Sequence, residues 1–276
     1  MHSLALTLQL AVPMLSTRFL SVVIPALNEE ARLPPTLERV ASYLQRNRAD
    51  AYEVIVVDDG SGDRTAQAVV RIGLSPALRL LRSETNCGKG AALAAGAMAA
   101  SGELVLLMDA DGATQIDELP YLEQQLPIHS PHIAVGSRVA VLSKRPWRRR
   151  LMGRVFALTA SSCVRGVEDT QCGFKLLSRE AALATLPNLH VDGWAYDVEL
   201  LFIAQELGIG ITSVRVAWRD MPGSKITWST PLVMLRDVLC VRCLYALGYW
   251  QVGQGHGHRY DQSSYKEVTS DIGVSI

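Results

Sequence analysis

Residues 54–65 read VIVVDDGSGDRT, a run of four apolar residues followed by two aspartates and a glycine-containing turn. Such an apolar run is typical of a β-strand that is covered on both faces. Comparable runs occur at residues 20–25 (LSVVIP) and 104–108 (LVLLM), and residues 78–81 (LRLL), which Arg79 interrupts, predict a further strand. Segments with helical periodicity separate these runs. The alternation predicts an α/β fold with a mostly parallel central sheet and helices on both faces.

The remaining elements follow from apolar periodicity and from capping residues. We expect helices at residues 33–44, at 89–100 and after Asp63, which we interpret as a helix N-cap. The second half of the chain predicts a strand ending at Val135, a helix over 147–163, a loop, helices near 178–185 and 195–207, a strand over 211–216, and a helix beginning at Thr230-Pro231. The tail from residue 252 is polar and is expected to be disordered.

The charge of the chain is balanced, with 27 Lys plus Arg and 27 Asp plus Glu among 276 residues. This balance argues against a general nucleic-acid-binding protein, which carries a basic excess. A composition of 49% hydrophobic and 20% charged residues indicates a globular protein, neither disordered nor polytopic. Only five of the basic residues are lysines, and three of them, Lys89, Lys175 and Lys225, stand in glycine-containing motifs.

The N-terminal stretch and the cysteines bear on targeting and on metal binding, respectively. Residues 1–18 form an extension that resembles neither a membrane span nor a signal peptide, and Met14 is an alternative start. The five cysteines are expected to be free thiols. Cys240 and Cys243 form a C-x-x-C pair, but no second cysteine pair exists, which argues against a zinc finger.

Polar and acidic side chains follow three of the predicted strands. Asn28 and Glu29 follow the first strand, Asp58 and Asp59 the second, and Asp109 and Asp111 the fourth. In an open parallel sheet, ligands bind beyond the carboxyl ends of the strands. Several acids in one crevice would repel a phosphorylated substrate unless a cation is present. We therefore expect Mg²⁺ or Mn²⁺, which take hard oxygen ligands and share substrate phosphates.

Two common phosphate-binding motifs are absent from residues 86–96, NCGKGAALAAG. Position 93 is leucine, so G-x-G-x-x-G fails, and Ser83 stands where a Walker A motif needs glycine. The sequence therefore does not support hydride transfer or P-loop phosphoryl transfer. Lys89 still begins a predicted helix, where its charge and free N–H groups favour a phosphate.

The motifs together resemble the catalytic domain of family 2 glycosyltransferases, which have the GT-A fold. The resemblance covers residues 19–228 and is carried by VVIPALNEE (22–30), VIVVDDGSGDRT (54–65), NCGKGAALAAG (86–96), LVLLMDADGAT (104–114), VGSR (135–138), RGVEDTQCGFKLLSREAA (165–182), LHVDGWAYDVELLFIA (189–204) and MPGSK (221–225). The later motifs are similar to those of the dolichyl-phosphate and polyprenyl-phosphate glucosyltransferase branch.

The resemblance implies roles for individual residues. The nucleotide sugar would contact Pro25, Leu27, Glu29, Asp59, Lys89, Asp109, Ala110 and Lys225. The metal would bind Asp111 and Asp109. The lipid phosphate would contact Arg138, Arg149 and Lys175. Asp169 and Arg138 would be catalytic, with Asp169 acting either as a base or as a positioning group.

The implied reaction is the inverting, metal-dependent transfer of glucose from UDP-glucose to dolichyl or polyprenyl phosphate. Another donor, such as GDP-mannose, or another acceptor is the alternative within the family. From a different class, a catalytically silent nucleotide-sugar-binding protein is the alternative. The presence of the acids at 59, 109, 111 and 169 argues against that alternative, because a silent protein has no chemical need for all of them.

Two segments are candidates for contact with a membrane surface. Residues 144–154, KRPWRRRLMGR, contain six basic residues interleaved with apolar ones, which fits either a solvated helix or a site for anionic lipid. Residues 229–251 predict an amphipathic helix that fits either a membrane interface or ordinary docking. The resulting expectation is a peripheral protein on the cytoplasmic face of a membrane, with no nucleic-acid partner.

Overall fold

A computed structural model describes residues 17–73, 75–138, 158–223, 230–253 and 264–268 of the chain. The strands are β1 (Leu20–Ala26), β2 (Tyr52–Asp59), β3 (Leu78–Ser83), β4 (Leu104–Leu107), β5 (His132–Ser137), β6 (Lys175–Ser178), β7 (Gly210–Arg215) and β8 (Tyr265–Glu267). The α-helices are α1 (Leu33–Asn47), α2 (Thr65–Ile72), α3 (Lys89–Ala99), α4 (Leu119–Glu123), α5 (Arg179–Thr185), α6 (Tyr196–Glu206) and α7 (Thr230–Ala246).

The eight strands form one sheet in the order β7-β5-β6-β4-β1-β2-β3-β8. Strand β1 pairs in parallel with β2 and β4, β2 pairs in parallel with β3, and β5 pairs in parallel with β7. The other three pairings, β4 with β6, β5 with β6 and β3 with β8, are antiparallel. The expected mostly parallel sheet is thus confirmed.

Two hydrophobic layers cover the sheet. Strand β1 alternates between them, because Val23 joins the layer containing α3, α5, α6 and α7, whereas Val22 and Ile24 join the layer containing α1, α2 and α4. Helix α3 packs directly on the sheet at Gly96, where a Cβ atom would collide with the side chains of Val23 and Val57. The central strands are buried on both faces, which explains why their sequences are continuously apolar.

The structure differs from the sequence expectations in three elements. Strand β6 (Lys175–Ser178) lies in a stretch predicted as a loop, because it has only four residues with two apolar ones between polar ends. Helix α2 begins at Thr65 with Arg64, not Asp63, at the N-cap position, although Asp63 Oδ1 accepts a hydrogen bond from Thr65 N at 2.9 Å. The tail was expected to be disordered, but residues 265–267 form β8 on the exposed edge of β3, where an unpaired strand leaves main-chain groups available.

The helix expected over 147–163 and the basic residues 144–154 lie mostly or wholly outside the described residues. Among the helices that the structure describes, none combines the length and the apolar character that a membrane crossing requires.

Candidate active site

The carboxyl ends of β1, β2 and β4 place their polar side chains at one edge of the sheet, as expected. The loop of residues 169–173 reaches the same edge from the start of β6. At Gly173 a Cβ atom would collide with the carboxylate of Asp109, so glycine permits this close approach. The motif around Asp169 and the motif around Asp109 therefore belong to one site.

An ion pair between Lys89 and Asp109 connects the start of α3 to the end of β4, with Lys89 Nζ 2.6 Å from Asp109 Oδ1. Burial would raise the pKa of Asp109, but the charge and hydrogen bond of Lys89, together with the charges of Arg138 and Lys175, hold that pKa below its ordinary value. Burial would lower the pKa of Lys89, but Asp109 and Asp197 raise it. Both groups are consequently charged at neutral pH, and the pair is neutral as a whole.

Asp111 lies in a less compensated environment than Asp109. Its Oδ1 accepts a hydrogen bond from Ala113 N at 3.0 Å, and its Oδ2 is 3.9 Å from Arg32 Nη1. Burial and the neighbouring charge of Asp109 raise the pKa of Asp111. A divalent cation would relieve this repulsion, because its two positive charges would offset the charges of both carboxylates.

The donor set at this edge fits a divalent cation that also binds substrate. Within the described ranges, no group of three His, Cys, Asp or Glu side chains is arranged to hold a metal by itself. Mg²⁺ commonly uses one or two carboxylates and completes its coordination with water and substrate phosphates. Asp109 and Asp111 meet that requirement.

Arg32 is a site residue that the sequence analysis missed. Its guanidinium binds the carboxylate of Glu29 through two nitrogens, with Nε 2.6 Å from Oε2. The hydrogen bond to Glu29 raises the pKa of Arg32. The three-residue spacing from Glu29 is the signal that would have indicated this pair. A nucleotide in contact with Glu29, as predicted, would therefore share the Glu29 carboxylate with Arg32.

Asp59 holds the loop that precedes α3. Its Oδ1 accepts from Cys87 N at 2.8 Å and from the Tyr265 hydroxyl at 2.7 Å, and its Oδ2 accepts from Gly88 N at 2.9 Å. Both carboxylate oxygens thus have partners within the protein. The contact of Asp59 with uracil or ribose stays a prediction.

Arg138 and Asp169 form a bidentate ion pair beside the Lys89–Asp109 pair. Arg138 Nε lies 2.8 Å from Asp169 Oδ2, Arg138 Nη2 lies 3.0 Å from Oδ1, and the main-chain N of Arg138 also donates to Oδ2 at 3.0 Å. Burial opposes ionisation of Asp169, but the bonds from Arg138 hold its pKa below the ordinary value. The ring of Trp218 lies 5.8 Å from the guanidinium carbon.

Lys175 is the one predicted phosphate ligand whose position the structure corrects. Its side chain is 0% exposed, its Nζ donates to Cys172 O at 2.5 Å, and it forms a salt bridge with Asp197. A fully buried ammonium with these partners cannot reach a lipid phosphate at the surface. Lys175 instead neutralises Asp197, an acid on α6 to which the sequence analysis assigned no role.

The other predicted residues are distributed as follows. Pro25 and Leu27 are half-buried at the end of β1, and Ala110 is buried between Asp109 and Asp111. Lys225 and Arg149 lie outside the described residues.

Comparison with known proteins connects this geometry to one family. The family model of glycosyl transferase family 2 matches residues 21–185. Dolichyl-phosphate beta-glucosyltransferase from Mus musculus is 41% identical over 257 residues, with 86% of this chain and 79% of the relative covered. The protein of the same name from Saccharomyces cerevisiae is 34% identical, with 84% of this chain and 77% of the relative covered.

Solved structures show the same architecture. Glucosyl-3-phosphoglycerate synthase from Mycobacterium tuberculosis in complex with UDP has a TM-score of 0.59 and 26% identity, over 84% of this chain and 80% of that one. Its complex with Mn²⁺ and UDP-glucose gives a TM-score of 0.56 and 26% identity, over 84% and 79%. These similarities confirm the expected GT-A type fold. The chain belongs to glycosyl transferase family 2.

Proposed function

We propose that this protein transfers glucose from UDP-glucose to dolichyl or polyprenyl phosphate with inversion at the anomeric carbon, and that the reaction depends on Mg²⁺ or Mn²⁺. The observation that carries the proposal is that two compensated ion pairs, Lys89–Asp109 and Arg138–Asp169, lie close enough for Asp109 and Arg138 to interact electrostatically. One pair suits a metal-bound diphosphate, and the other suits the phosphate of an acceptor. The relatives named for dolichyl-phosphate glucosylation support the choice of acceptor.

The donor half of the site is formed by the ends of β2 and β4 and the start of α3. Asp109 and Asp111 would hold the cation, which when bound would neutralise charge that develops on the leaving diphosphate. Lys89 lies at the N-terminus of α3, where the helix dipole and main-chain N–H groups also favour an anion. The related synthase was crystallised with UDP-glucose and Mn²⁺, which supports this donor and cofactor.

The acceptor half is formed by Arg138 and Asp169. A phosphate monoester has a second pKa of about 6, so it is largely dianionic and nucleophilic at neutral pH. It therefore needs positioning more than deprotonation. Arginine suits this task because its planar guanidinium binds phosphate oxygens in a bidentate manner. Asp169 occupies the Nε–Nη2 edge of Arg138, so the acceptor phosphate would approach the opposite edge.

The position of helix α7 supports the expected contact with a membrane surface. Its inner face is anchored, because Val238 and Val241 are buried and Tyr245 donates to the buried Glu199 at 2.9 Å. Its outer face exposes Leu232 at 63% and Leu239 at 49%. Apolar side chains on an exposed helical face are stable when they enter the interface of a bilayer. We therefore assign α7 to the membrane-facing side.

In the first test, purified protein is incubated with polyprenyl phosphate, either Mg²⁺ or Mn²⁺, and one labelled nucleotide sugar at a time. The donors are UDP-glucose, GDP-mannose and other nucleotide sugars. We expect label in the organic phase from UDP-glucose, and its loss when a chelator removes the metal. A parallel reaction with 3-phosphoglycerate tests a small phosphorylated acceptor. Absence of a lipid product with every donor would refute the proposal.

A second prediction concerns Asp169→Asn. The amide cannot match both bonds to Arg138, so we expect kcat to fall by about 100-fold or more, while Glu180→Gln, an exposed charge removal on α5, leaves it unchanged. The pKa of Asp169 is lowered in the folded state. The ion pair with Arg138 therefore stabilises the fold fully above pH about 4, the ordinary pKa of an aspartate, and this stabilisation is lost as the pH falls below that value. Turnover by Asp169→Asn close to that of the wild type would remove Asp169 from the catalytic group.

A third prediction concerns α7 and is measured by flotation with vesicles that contain anionic lipid. Leu239→Glu should reduce the bound fraction several-fold, since a carboxylate on this face opposes insertion and is repelled by the anionic surface. Ile128→Glu is the matched control, because Ile128 is exposed but lies in the loop after α4, which belongs to the other helical layer. Equal binding of Leu239→Glu and wild type would show that α7 does not face the membrane.

A further inference from the structure

Strand β8 attaches a distant part of the chain to the edge of the sheet next to the donor half of the site. It runs antiparallel to β3, with Tyr265 opposite Ser83. Glu267 fixes the far end through a bidentate pair with Arg79, at 2.8 and 3.0 Å, and Val268 N donates to Leu80 O at 2.9 Å. The strand is therefore held by side chains as well as by its ladder.

Tyr265 points from β8 into the protein. It is 6% exposed and packs with the hydrophobic layer that contains α3. Its hydroxyl donates a hydrogen bond to Asp59 Oδ1 at 2.7 Å. Burial raises the pKa of Tyr265, and the hydrogen bond to Asp59 raises it further. The phenol thus stays protonated at neutral pH and remains a donor to the carboxylate.

Asp59 connects Tyr265 to the residue that faces the proposed diphosphate. The two oxygens of Asp59 accept from the main-chain N atoms of Cys87 and Gly88, which immediately precede Lys89. Lys89 is the first residue of α3 and reaches Asp109 at 2.6 Å. Hydrogen bonds and the short backbone segment of residues 87–89 therefore connect Tyr265 on β8 to Asp109 at the end of β4.

We propose that Tyr265 is a positioning residue of the nucleotide-sugar site, which acts through Asp59 to fix the loop of Cys87 and Gly88 and hence the ammonium of Lys89. The inference rests on the proposed function, because it assigns Lys89 to the diphosphate. On this proposal, β8 does more than cover an exposed sheet edge, which any paired strand would do. The hydroxyl is the group that carries the additional role.

The test compares Tyr265→Phe, which keeps the buried ring, with Lys266→Ala, which removes an exposed side chain from the neighbouring position of the same strand. Calorimetry with UDP and Mn²⁺ measures donor binding without an acceptor. We expect the Kd for UDP to rise about fivefold in Tyr265→Phe and to stay unchanged in Lys266→Ala, since a net hydrogen bond corresponds to a few-fold to about tenfold change.

Kinetics separate positioning from general weakening of the fold. In Tyr265→Phe the KM for UDP-glucose should rise by the same factor, while kcat and the KM for polyprenyl phosphate stay within about twofold. In an Asp59→Ala background, Tyr265→Phe should have no further effect on the Kd for UDP, because Tyr265 acts through Asp59.

Three outcomes would overturn the inference: an unchanged Kd for UDP in a folded Tyr265→Phe protein, an equal change in Lys266→Ala, or additive effects of Tyr265→Phe and Asp59→Ala. If Tyr265→Phe does not fold, Glu267→Gln loosens β8 from outside the site and should shift the Kd in the same direction. Failure of the proposed function is distinguishable, because a protein that forms no lipid product would still show the change in UDP binding.

Discussion

The ion pair between Lys89 and Asp109 is the interaction on which the site depends. Parallel strands place several carboxylates at one edge of the sheet. Neighbouring like charges destabilise the fold unless cations compensate them. Each of four acids has a basic partner: Asp109 with Lys89, Asp169 with Arg138, Asp197 with Lys175 and Glu29 with Arg32. For the buried Lys175–Asp197 pair, removal of one partner costs about 3–5 kcal/mol, because it leaves an uncompensated buried charge.

Each of these four ion pairs is neutral, whereas the carboxylates of Asp59 and Asp111 add negative charge to the site. Asp111 is the acid whose compensation is weakest, and its raised pKa reflects burial and the charge of Asp109. A site with this one residual repulsion is suited to a divalent cation that arrives with a diphosphate. The membership of glycosyl transferase family 2 is consistent with such a site, since the family match covers the strands that form it.

The sequence was sufficient to predict the central sheet and the edge at which the site lies. Apolar runs mark β1, β2 and β4, and the carboxylates follow them directly along the chain. Prediction failed where a residue's role depends on a partner far away in sequence. Lys175 is 22 residues from Asp197, and Tyr265 is 206 residues from Asp59. No local pattern encodes such contacts, because the fold alone brings the partners together. Strand β6 was missed for a local reason, since four residues give too short an apolar pattern.

Steady-state kinetics of Lys89→Met and Arg138→Lys test most directly whether the two ion pairs recognise the substrates. The KM is measured for UDP-glucose and for polyprenyl phosphate, with each substrate varied separately. If the two pairs serve different phosphates, Lys89→Met raises the KM for UDP-glucose about tenfold or more and leaves the KM for polyprenyl phosphate within about twofold, since a hydrogen bond to a charged group corresponds to a change of at least about tenfold. Arg138→Lys gives the reverse pattern, because lysine cannot reproduce the planar contact with phosphate. A change in the same KM for both variants would contradict the division of the site into a donor half and an acceptor half.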